Sequence, residues 1–274
     1  MTRGVRVDGS TVGTTTEAAS GARFDAAGAL VEAVRGLPEM WRGAGPALLA
    51  TAVLWTAAQA APGAFGALSA VLALAVGIAA YGARVRIGVA GLAGAQAAGL
   101  GRGGFQWRRL EARLLGAGLL VLLFMTIILS IVALTALALF GAAGLNAQAI
   151  AEGDWARVGP GWKLALLAVV TVGLLALPTI LAVRVSLYAQ ATLAWGRMTS
   201  LGATGLTNGA MGGLLLGLMA CSAPLMVWLA LLATTGMAGP WAAGVTALIL
   251  TLVQAPLSAG FLGRAWRALG RPAG

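Results

Sequence analysis

The chain has 274 residues, of which 59% are hydrophobic and only 9% charged, with a mean hydropathy of +0.91; this leaves too little polar surface for a water-soluble domain and makes lipid the solvent. Lys and Arg number 18 against 8 Asp and Glu, a net charge of +10, yet the arginines fall between apolar runs, as membrane-loop residues do, so no nucleic-acid partner is expected. Histidine is absent and Cys221 is the single cysteine, which removes the commonest general base, an intrachain disulfide and a thiolate cluster, so no enzyme activity, metal or cofactor is expected.

Residues 1–23 are polar and lack the apolar core of a signal peptide; they read as a disordered cytoplasmic tail. Over 24–42, Ala27, Leu30, Val31, Val34, Leu37 and Trp41 recur at helical spacing while Glu32, Arg35, Glu39 and Arg42 point elsewhere. That is an amphipathic helix, with Asp25 placed to cap it. Two placements fit it: flat on the bilayer surface, or packed against the protein's own cytoplasmic loops.

The charge-free intervals then count the spans. Residues 43–83 hold two, with Pro62-Gly63 as the turn; 114–140 hold one, stopped by Gly141 and Gly144; 164–183 hold one; and 198–263 hold two, divided by Gly239-Pro240. At about 1.5 Å per residue the run 114–140 exceeds the roughly 30 Å hydrocarbon thickness of a bilayer. The expected architecture is all-α and polytopic, with six transmembrane helices at about 43–61, 64–83, 114–140, 163–183, 209–233 and 241–263, in a membrane domain spanning 24–267. Intervals 87–101 and 185–196 are too short to cross and read as surface helices or extensions of the preceding span.

With both termini in the cytoplasm, including a 268–274 tail, this topology leaves only Arg157 and Lys163 outside. The aromatic belt follows the same division. Trp41, Trp107, Trp195 and Trp266 fall near inner ends, Trp155, Trp162 and Trp241 near outer ones, and Trp55 and Trp228 deeper. Arg84-Val85-Arg86-Ile87 after the second span and Arg184-Val185-Ser186-Leu187 after the fourth form a faint internal echo.

Few residues carry chemistry. Gly209, Gly213, Gly217 and Cys221 form a four-residue stripe of small side chains, a helix-packing face for another span of this chain or of a second subunit. Pro178, Pro224 and Pro256 interrupt the last three spans, and Thr179, Ser222, Gln254 and Ser258 would line a cavity there if the protein were a transporter; no ionisable residue lies in the expected span cores to mark an ion path. Gly99 to Gly104 matches GxGxxG without a preceding strand, and glycine is too common here for that match to count. Arg184, Tyr188, Trp195 and Arg197 lie on the segment joining the fourth and fifth spans, placed either to grip a phospholipid head group or to snorkel beneath the bundle.

The surface helix, the six spans and Leu206-Thr207-Asn208-Gly209 at the start of the fifth resemble the bacterial six-helix membrane family that includes the membrane domain of some glycerophosphodiester phosphodiesterases. That family shows Ser-Trp where this chain has Ala203 and Thr204. No stretch supplies the carboxylate and histidine metal site of the phosphodiesterase catalytic domain. The resemblance implies a multi-pass protein of the bacterial inner membrane. The expected role is non-enzymatic: contact with membrane phospholipid, or with another membrane protein or a second copy, as an organising or accessory subunit. The alternative is a transporter or permease subunit working through the kinked last three spans.

Overall fold

A computed structural model of the chain describes residues 24–144, 146–199, 201–237 and 239–270; the expected 1–23 tail and residues 271–274 lie outside them. All regular structure among the described residues is helical. In order these are α1 (Ala26–Arg35), α2 (Leu37–Ala60), α3 (Gly63–Ala97), α4 (Arg109–Ala143), α5 (Ala147–Glu152), α6 (Trp155–Val158), α7 (Gly161–Val185), α8 (Tyr188–Trp195), α9 (Met211–Thr235), α10 (Pro240–Leu248) and α11 (Ala255–Leu269). Five helical stretches are long and apolar enough to cross a membrane: Gly63–Ala97, Arg102–Ala143, Gly161–Trp195, Met211–Thr235 and Pro240–Leu269. The first expected span falls in α2, outside these five, because Gly43, Gly45, Pro46, Thr51, Thr56 and Gln59 dilute its apolar run.

The amphipathic stretch 24–42 divides at Gly36. Asp25 caps α1, its Oδ1 accepting from Gly28 N at 2.9 Å, and the helix ends at Arg35. Pro38 then starts α2, where its missing N–H is one a helix leaves unpaired anyway. Residues 37–42 thus belong to the long second helix. α1 buries Ala29 and Ala33 against α11, with Leu30 packed partly buried beside them, and leaves Val31 and Val34 exposed.

α2 and α3 pair antiparallel, with Ala44, Ala47 and Leu48 against Ala80, Ala83 and Ile87. Interval 87–101 turns back beneath them because Gly91 takes φ +72, a conformation that ends a straight helix and that glycine adopts without strain. Leu92 and Leu100 then pack so close to Gly43 that a Cβ there would lie 2.8 and 3.4 Å from their methyls.

α11 is where the bundle closes. Its Gly263 meets Gly88 of α3, Gly260 meets Ala33 of α1, and Phe261 fills the space beside Gly217 of α9. Small residues let these backbones approach, which is how membrane helices gain packing without a hydrophobic drive between them. Between α10 and α11 the chain makes a π-helical turn, Ile249–Gln254. Pro256 has no N–H to offer the Leu252 carbonyl four residues earlier, and Trp41 Nε1 donates to that carbonyl at 2.7 Å. Trp41→Phe keeps an aromatic ring, smaller than the indole, and removes the donor. We expect it to cost roughly 0.5–1.5 kcal/mol, read as a lower melting temperature in detergent; an unchanged melting temperature would show that the bond contributes nothing.

Candidate functional site

Two arginines of α3, Arg84 and Arg86, differ in whether a carboxylate meets them. Arg86 is buried and its guanidinium donates to Glu111 of α4, with side chains 6% and 0% exposed. The other oxygen of Glu111 accepts from Arg108 N at 2.9 Å, so the same carboxylate caps α4. Gly82 makes room, since a Cβ there would come within 3.1 Å of Glu111 Cγ. The sequence reads Arg86 only as one of the cytoplasmic-side charges flanking a span and gives Glu111 no role. The available signal was that Glu111 is the sole carboxylate between Glu39 and Glu152.

Arg84 has no such partner. Its guanidinium lies 5.4 Å from the Tyr81 ring centroid, its Nε, like that of Arg86, is buried without a hydrogen bond, and among the described residues no carboxylate lies within ion-pair distance. Tyr81 in turn donates its hydroxyl to that of Tyr188, at the start of α8, at 2.8 Å. These two tyrosines border an apolar groove of about 650 Å³ between α2, α3 and α4, within the roughly 300–1,000 Å³ of small-molecule sites. Thr51 and Trp55 form one wall, Ala73, Gly77 and Ile78 the floor, and Leu115, Gly118 and Leu119 the other wall.

Local sequence explains the shape. Ala73, Gly77 and Tyr81 recur every four residues along one stripe of α3, so two small residues leave a channel that a tyrosine ends, and Arg84 continues the stripe. On α4, Gly118 lets Tyr188 in; a Cβ there would sit 3.3 Å from its hydroxyl. Leu74, Leu119 and Leu122 on the rim are 65%, 55% and 63% exposed. The groove therefore opens sideways, onto the apolar outer surface of the helices.

The four head-group candidates do not converge. Tyr188 turns inward to Tyr81, and Arg184 is exposed on α7. Trp195 packs edge-on against Trp266 at 5.5 Å with Arg197 over its ring at 5.5 Å, a separate basic and aromatic patch. Gly213, Gly217 and Cys221 of the small-residue stripe face Phe24, Phe261 and the α11 core within the same chain, whereas Gly209 precedes α9 at φ +80. Of the cavity candidates, Gln254 Nε2 donates to Ser222 Oγ at 3.2 Å and Ser258 lies beside Cys221. Thr179 is exposed and bonds the Leu175 carbonyl of its own helix.

No group of three His, Cys, Asp or Glu able to hold a metal ion occurs among the described residues. What the arrangement offers is an apolar recess bordered by two phenols, with Arg84 packed beside one of them and without a carboxylate among the described residues, an arrangement suited to binding an amphiphile. No family model, curated protein or solved structure matches the chain.

Proposed function

We propose that the protein is a non-enzymatic, lipid-binding subunit of a bacterial inner membrane, in which α2 completes a set of six spans and both termini are cytoplasmic. The observation that carries this reading is the lateral groove, because a recess lined by apolar side chains and open toward hydrocarbon will hold a lipid chain rather than water. The pairing of α2 with α3 along Ala44, Ala47 and Leu48 supports the sixth span, and the sequence positions of the basic residues, all but Arg157 and Lys163 in segments that a six-span topology puts on one side, support the orientation. Kinship with the six-helix family rests on Leu206-Thr207-Asn208-Gly209 and belongs to the same proposal. Another membrane protein or a second copy would meet the exposed apolar faces of α4 and α7.

Native mass spectrometry of gently extracted protein tests the groove. We expect a retained lipid on the wild type and its loss in Leu119→Trp, where the larger ring fills the recess from an exposed position. Wild-type protein that carries no lipid would refute the reading. Single-cysteine labelling at Gly153 and Ala268 tests the topology; reagent reaching Ala268 from outside the cell would overturn it.

A further inference from the structure

We infer that the groove is one half of a built site for an anionic phospholipid, with Arg84 as the counter-charge to the phosphate and the recess above Tyr81 holding one acyl chain. The inference rests on the lipid-groove reading and adds to it the class of head group.

Its first support is electrostatic. Arg84 is half-buried, and taking a cation part-way out of water without a counter-charge is costly; Arg86, two residues away, has its compensating carboxylate in Glu111. Arg84 has only the face of Tyr81, 5.4 Å from its guanidinium carbon, and no carboxylate among the described residues. An acceptor with two or more oxygens and a negative charge completes a guanidinium's fork of donors, and phosphate does this in bidentate geometry.

The second support is depth. At about 1.5 Å per residue, the run of α3 from Gly63 to Arg84 covers roughly 30 Å, one hydrocarbon thickness, before Gly91 bends the helix. Arg84 and the tyrosine hydroxyls therefore sit at the level of one leaflet's phosphates, with the groove running from them toward the bilayer centre. Head group and tail of a single lipid are related in the same way. A free phosphate ion would use Arg84 but leave the recess empty, and a neutral lipid would fill the recess but leave Arg84 uncompensated.

The test uses purified full-length protein equilibrated with vesicles of equal phosphatidylglycerol and phosphatidylcholine, and native mass spectrometry of the lipid each variant keeps. Wild type is expected to keep the anionic lipid about tenfold over the neutral one, the size of one charge-assisted hydrogen bond. Arg84→Gln should bring that ratio to within about twofold while total retained lipid stays the same, and Arg84→Lys should keep the preference. Leu119→Trp should lose both lipids although Arg84 is intact.

Equal retention by the wild type, or an undiminished preference in Arg84→Gln, overturns the inference and leaves the groove reading standing. A phosphatidylglycerol preference that survives in Leu119→Trp places the selectivity on the exposed Trp195 and Arg197 patch and also overturns it, whether or not Arg84→Gln can be purified. No lipid on the wild type removes the groove reading and the inference with it.

Discussion

Gly263→Leu is expected to prevent the bundle from closing. A side chain at this position of α11 would enter the backbone of Gly88 on α3, and the reciprocal Cβ on Gly88 would enter the Ala259 carbonyl. A clash with a flexible side chain is relieved by a rotamer change, but here both obstacles are main chain within helices, so relief requires the helices to separate. Overpacking a core with movable neighbours costs typically about 1–3 kcal/mol, and a backbone obstacle places this substitution at or beyond the upper end. Even Gly263→Ala should lower the melting temperature in detergent. The control is Gly173 of α7, where an added Cβ meets no atom within 4 Å; Gly173→Ala should be neutral or stabilising by up to about 1 kcal/mol from helix propensity. Equal melting temperatures for Gly263→Leu and Gly173→Ala would show that α3 and α11 do not cross at this point.

The second large effect is Glu111→Ala. Removing one member of a buried ion pair leaves the other charge without compensation, at a typical cost of about 3–5 kcal/mol. Here the substitution also deletes the acceptor for Arg108 N at the start of α4, adding up to roughly 1 kcal/mol for a lost cap. Replacing both partners with apolar residues of similar size, Arg86→Met with Glu111→Leu, should recover most of the loss, because the desolvation cost of both charges then disappears. A double-mutant cycle on melting free energies measures the coupling directly. If Glu111→Ala and Arg86→Met were each nearly neutral and additive, the pair would have no structural role.

The amino-acid sequence shows some of this architecture plainly and hides the rest. Long uncharged runs such as 114–140 can dissolve only in lipid or a large core, and helix ends sit where the chain changes chemistry: α2 gives way to α3 around Pro62-Gly63, and α4 stops at Gly144 in a left-handed cap. The break at Gly36 was not legible, because the apolar spacing of 24–42 runs straight through it and only Pro38 hints at a restart. The groove was hidden for a different reason. It draws on α2, α3, α4 and α8, and its floor is made by Ala73 and Gly77 in a chain with 41 glycines, where a single small residue carries no signal. Arg84 and Arg86 read identically as flanking charges. Only the tertiary fold gives one of them a carboxylate and the other none.

The placement of α11 bears on how the molecule is made. The five stretches long and apolar enough to cross a membrane are made in sequence, and α1, α3 and α9 all converge on α11, which belongs to the last of them. Until residues 255–269 emerge, α1, α3 and α9 lack the helix on which they meet. Nascent chains halted before Ala255 should therefore be inserted but unlocked, and open to membrane proteases that the finished molecule resists.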